Sequence, residues 1–165
     1  MVLTGPKLLQ VNLVMSAFSR QGARVASVTA KGKPCHQLQK GRELSNSSVS
    51  LSSQHPDHCM MDENGIEDVP YVGQPLPDMY SADLSLFMLD ADLSLLEKRF
   101  PDTPYVSRPD FIQQAYATGQ PEADRFYAEM DARFGKFEEM GAIVALTADH
   151  GMNEKTNDDG TPPVV

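Results

Sequence analysis

Near the end of the chain, residues 142–155 read AIVALTADHGMNEK, an apolar run leading straight into Asp149, His150 and Gly151. Adjacent carboxylate and imidazole groups are oxygen and nitrogen donors of the kind zinc takes, and a glycine beside them lets the backbone approach closely. A second aspartate, Asp110, closes the stretch TPYVSRPD (103–110). Lys31 and Lys33 stand two apart after ARVASVTA (23–30), as cations that can hold an anionic substrate. In open α/β sheets, ligands gather beyond the carboxyl ends of the strands, and each of these groups follows a candidate strand. Asp110, Asp149 and His150 are therefore candidate metal ligands, and Lys31 and Lys33 candidate substrate-binding residues. The plainer alternatives are an aspartate capping a turn with a surface histidine, and a solvated basic loop. For the two lysines alone the loop is the simpler reading. HPDHC (55–59) has metal-binding residue types but no second ligand pair, and His36 has no evident partner.

Such residues need elements to position them. PKLLQVNLVMSAFSRQ (6–21) places Leu9, Leu13, Ala17 and Met15 or Phe18 near one side of a helix, with Gly22 as its stop. ARVASVTA then reads as a strand running into the polar loop KGKPC, which makes half of an α/β unit. Residues 41–80 are rich in Ser, Pro, Asn and Gly, and read as an irregular insertion whose serine run is a solvated loop. A second helix follows in SADLSLFMLDADLSLLEKRF (81–100), where Leu84, Phe87 or Met88, Ala91 and Leu95 recur at helical spacing. The clearest helix is QPEADRFYAEMDARFGKFEEMGA (120–142). Pro121 stands at its start, Phe126, Met130, Phe134 and Phe137 form its apolar stripe, and Gly141 ends it. AIVALTA (142–148) lacks alternation and is expected to be a strand buried on both faces, as in a parallel sheet. The fold class expected is α/β, a mostly parallel sheet flanked by helices, with residues 1–165 as a single incomplete domain.

The chain has 165 residues, 41 % hydrophobic and 22 % charged, as in a soluble globular domain. A net charge of −9 without a basic cluster excludes a nucleic-acid partner. The apolar stretches fall short of the roughly 20 residues a membrane span needs, and no secretory leader is evident, so a cytoplasmic protein is expected. Cys35 and Cys59 are expected to be free thiols.

ALTADHGMNEK resembles the metal-ligand segment of the alkaline phosphatase superfamily. GARVASVTAKGK, SVSLSSQHPDHC, DMYSADLSLFMLDA, PEADRFYAEMDARFG and VALTADHGMNEKTNDDGTPPVV are similar, in the same order, to segments of its phosphonoacetate hydrolase branch. The resemblance implies a partial alkaline-phosphatase-like core and hydrolysis of the carbon–phosphorus bond of phosphonoacetate, with two metals, commonly zinc, and a threonine nucleophile. It implies that Asp149 and His150 bind one metal, that Asp110 binds the other, and that Lys31 and Lys33 grip the small anionic substrate. Two departures accompany it. Gln114 stands where the family has a ligand histidine four residues after the aspartate matching Asp110, and an amide oxygen is a poorer zinc ligand than imidazole. The family's nucleophile segment, a further metal-binding aspartate and a final ligand histidine match nothing here. None of Thr4, Thr29, Thr103, Thr118, Thr147, Thr156 or Thr161 has a nucleophile-like context. The chain is thus expected to be an internal portion lacking both flanks, inactive or nearly so alone, with unpaired strand edges that invite association into oligomers. A phosphate mono- or diester hydrolase of the same superfamily, or a non-catalytic metal- or anion-binding remnant, are the alternative readings.

Overall fold

A computed structural model of the chain describes residues 9–42, 48–53, 73–99 and 101–151. The chain divides into two compact units, Met1–Met79 with Asp83–Pro109, and Tyr80–Ala82 with Asp110–Val165. In the first unit the order is α1 (Val14–Arg20), β1 (Val25–Thr29), α2 (Gly32–Leu38), β2 (Ser48–Ser52), α3 (Ala82–Arg99) and β3 (Thr103–Ser107). The strands form a parallel sheet in the order β2-β1-β3, and Thr29 pairs with both Ser52 and Ser107, so the three strands end level. The expected class, a parallel sheet flanked by helices, is the one observed.

Alternation along the strands gives the sheet two different faces. Ala26, Val28, Ala30 and Val49 form one apolar cluster with Leu84, Met88, Ala91 and Leu95 of α3. The spacing read from the sequence of α3 is the spacing of that core. Ser27, Ser48, Ser50 and Ser52 alternate with the apolar residues, and all four are buried. This corrects the serine run, expected as a solvated loop: residues 48–52 are β2. The hydroxyls of Ser27, Ser48 and Ser50 are hydrogen-bonded internally, which no solvated loop requires. Ser27 and Ser50 hydroxyls meet at 2.9 Å, and the buried Cys35 of α2 lies 3.4 Å from Ser50 Oγ. Cys35 is a free thiol, as expected, and Cys59 lies outside the described residues.

Arg42 occupies the middle of this polar layer. Its guanidinium donates to Ser48 Oγ (3.0 Å), Ser27 Oγ (3.1 Å) and the carbonyls of Leu38, Val25 and Val49 (3.3, 3.2 and 2.8 Å). It joins the end of α2 to β1 and β2, while burial lowers its pKa from the usual value. Before the first residues of β1 and β3, exposed Arg24 grips Asp102 in a two-point ion pair, its Nη2 3.0 Å from Oδ1, which aligns the starts of the two strands.

Two local expectations shift. The helix predicted over 6–21 starts at Val14 among the described residues; Val11 and Asn12 are weak helix formers, and Leu13 is extended. Its first residues, 1–8, lie outside the described residues. KGKPC, expected as a loop, opens α2. Gly32 and Pro34 read as breakers, yet both sit in a first turn, where a missing N–H costs nothing.

The second unit contains α4 (Phe111–Ala115) and α5 (Pro121–Glu139), which pack together. Ile112 of α4 and Ala123, Phe126, Met130 and Phe137 of α5 are buried, while Phe134 is only half-buried. Gly141, at φ +83°, ends α5 in a left-handed turn in which Gly141 N–H donates to Glu138 O (2.8 Å) and Ala142 N–H to Phe137 O (3.0 Å). Beyond it the expectation fails. Residues 142–148 form no strand, and Ile143 and Leu146 are 98 % and 70 % exposed. An apolar β-prone run states a preference; a strand also needs a hydrogen-bonding neighbour, and the described sheet has none for it.

Among the buried polar groups, Asp92 of α3 is 3 % exposed, its Oδ1 lacks a hydrogen-bond partner, and burial pushes its pKa up to about 7. A carboxyl whose pKa is raised on folding holds its proton in the folded state and loses it first on unfolding, so stability falls as pH rises from about 4 through 7. Asp92→Asn should remove that slope, worth on the order of 4 kcal/mol at full extent, in urea unfolding compared at pH 5 and pH 8. Arg42→Met should lower stability by roughly 2–4 kcal/mol through the carbonyls and hydroxyls it strands, read as the shift in urea midpoint.

Candidate functional site

Lys31 and Lys33 follow the carboxyl end of β1. Lys31 holds the N-cap position of α2 with extended backbone (φ −113°, ψ 146°), Lys33 lies in the first turn, and both side chains are exposed. The backbone that carries them is tied down on both sides. Ala30 N–H donates to Ser107 O of β3 (3.2 Å), and Ser53 N–H and Oγ approach Thr29 O at 3.0 and 3.3 Å. The buried Thr29 hydroxyl lies 2.9 Å from Lys31 O and 3.3 Å from Leu51 O. The pair is therefore not in a solvated loop: it sits on a strand–helix junction at the ligand-binding edge of a parallel sheet.

The metal-ligand candidates lie in the second unit. Asp110 is the N-cap residue of α4, exposed, three residues beyond β3. The side-chain amide of Gln114 donates to Asp110 Oδ2 across one turn, and Gln114 N–H donates to Asp110 O at 3.0 Å. Asp149 and His150 follow the unpaired segment 142–148 and are exposed, the side chains 90 % and 64 % accessible. His150 N–H donates to Asp149 Oδ1 (3.1 Å), and His150 Nδ1 lies 2.9 Å from Gly151 O. A carbonyl only accepts, so in this contact Nδ1 is the donor. Nε2 lies 3.7 Å from Asp149 Oδ2.

The donor types therefore suit zinc, and the donor number does not. Among the described residues no three His, Cys, Asp or Glu side chains come together as a metal-holding group. HPDHC lies outside the described residues. His36 lies in the last turn of α2, half-buried. Sequence reading missed Thr29 and Ser53, which brace the lysine junction, and the buried Arg42 toward the starts of β1 and β2. The only signal for these was the strict alternation of SVSLS, which reads equally as a polar loop.

No family model matches the chain. Its fold is of the alkaline-phosphatase-like α/β type. The chain is similar to phosphonoacetate hydrolase. Two crystal structures of that enzyme from Sinorhizobium meliloti 1021, one in complex with phosphonoformate and one with phosphonoacetate, match with a TM-score of 0.87 at 36 % sequence identity. The match covers 100 % of this chain and 40 % of theirs. The resemblance seen in the sequence segments is thus shown in three dimensions, over less than half of the enzyme's length. Among the described residues no helix is long and apolar enough to cross a membrane.

An adjacent Asp–His donor pair without further ligands should bind zinc once and weakly. Calorimetric titration of the chain should show a single site with a dissociation constant in the micromolar range or above, abolished by His150→Ala. Two tight sites would contradict the absence of a closed ligand group.

Proposed function

We propose that this chain carries part of a metal-dependent phosphonoacetate hydrolase, an enzyme that cleaves the carbon–phosphorus bond of phosphonoacetate to acetate and phosphate. The observation that carries this reading is 36 % identity at a TM-score of 0.87 along the whole chain to an enzyme solved with phosphonoacetate bound. Residues 1–165 are read as one α/β domain, with 41–80 an irregular segment in which β2 is embedded.

In this reading Lys31 and Lys33 hold the dianionic substrate, including its carboxylate, which a phosphate ester would lack. Two ammonium groups on a braced junction offset the repulsion that a chain of net charge −9 imposes on such an anion. Asp149 with His150, and separately Asp110, are read as donors to two zinc ions. The chemistry such ions supply when bound is neutralisation of charge on the phosphoryl oxygens. The incomplete ligand group and Gln114 give this chain little or no turnover by itself. A non-catalytic anion- or metal-binding role is the second reading, favoured by the Gln114 amide occupying Asp110 Oδ2. The location read for the protein is the cytoplasm, and no nucleic acid or membrane partner enters the reading.

Titration with phosphonoacetate should show binding that Lys31→Ala and Lys33→Ala each weaken by about tenfold, the scale of one charge-assisted contact. An aryl phosphate should bind more weakly and respond less to Lys31→Ala. Affinity unchanged in both lysine variants would sink the assignment of the lysines. Rapid release of phosphate from phosphonoacetate by the unaltered chain with zinc would overturn the expectation of low activity.

A further inference from the structure

We propose that Thr29 is a positioning residue for Lys31 and Lys33. Its hydroxyl locks the turn from β1 into α2 on which both lysines stand. This rests on reading the two lysines as the cationic grip on the substrate.

Thr29 is fully buried at the last position of β1. A buried hydroxyl must find an acceptor, and Oγ1 has two carbonyls in reach, Lys31 O at 2.9 Å and Leu51 O at 3.3 Å. One proton cannot serve both fully, and the nearer contact is to Lys31. The first helical bond to that carbonyl, from Cys35 N–H, is long at 3.5 Å. Lysine has no acceptor with which to cap its own helix, and α2 has no side-chain cap at Lys31. The threonine hydroxyl, reaching forward two residues, donates to the carbonyl of the N-cap residue and so holds the backbone of Lys31 where α2 begins.

Thr29 is itself immobilised. Its carbonyl takes Ser53 N–H from the β2 side, and the next amide, Ala30 N–H, bonds Ser107 O on the β3 side. The clamp therefore transmits the rigidity of the sheet to the backbone of Lys31. Lys33, one residue into α2, moves with that turn. Two exposed lysines on a free loop would lose rotamer and backbone freedom on binding an anion. On this junction the backbone share is already spent in folding.

The test compares Thr29→Val, nearly isosteric but without the hydroxyl, with Thr29→Ser, which keeps it. In the ligand-free chain, amide hydrogen exchange at Gly32, Lys33 and Cys35 should quicken by about two- to tenfold in Thr29→Val and return toward the original rate in Thr29→Ser, the range expected for one hydrogen bond. Phosphonoacetate affinity should fall by a similar factor in the valine variant and recover with serine. Unchanged exchange and affinity in Thr29→Val would overturn the inference. Loss of binding in Lys31→Ala and Lys33→Ala without loss in Thr29→Val would overturn it while leaving the lysine reading intact. Full affinity in the lysine variants would instead overturn the reading on which it rests. Should valine unfold the chain, Thr29→Ala set against Thr29→Ser carries the same comparison.

Discussion

Everything the first unit does follows from the parallel pairing of β1 with both of its neighbours. Parallel register brings the carboxyl ends of all three strands to one edge, since Thr29 faces Ser52 on one side and Ser107 on the other. A central strand of five residues cannot expose either face, and all five of its residues are buried. The chain then has two surfaces to cover. Helix α3 covers one with aliphatic side chains in ordinary core packing. The other is covered by α2 over a layer of hydroxyls.

That second layer is costly unless every donor and acceptor is matched, because a buried polar group without a partner gives up its hydration for nothing. Arg42 makes the layer workable. A guanidinium carries five N–H donors in a planar fork, and here they are spread over two serine hydroxyls and three carbonyls. No aliphatic side chain of similar volume could serve those groups. Ser52 Oγ remains without a partner, at the end of the strand next to the lysine junction. Asp92 Oδ1, on α3, likewise lacks a partner, and burial holds its carboxyl pKa above the usual value.

The chemistry-bearing residues are distributed unequally between rigid and unsupported backbone. Lys31 and Lys33 stand on a junction braced from both neighbouring strands. Asp149 and His150 stand after an extended apolar segment that pairs with nothing among the described residues. The contacts described for that pair are made within residues 149–151.

Local features were legible in the sequence wherever one residue or one period decides the outcome. The left-handed stops at Gly22 and Gly141, the stripe of α3, the limits of α5, and the strand ending before Lys31 all belong to this kind. Tertiary structure decided what depends on a partner distant in sequence. Ser48–Ser52 is polar by composition, and becomes a buried strand only because Arg42 and Ser27 meet its hydroxyls. KGKPC carries a glycine and a proline, and opens α2 because both fall in its first turn, where neither interrupts a helical hydrogen bond. AIVALTA has the composition of a buried strand and stays exposed, because a strand exists only when another strand takes its hydrogen bonds. Residue types name the chemistry available; pairing and burial decide which of it the chain can hold in place.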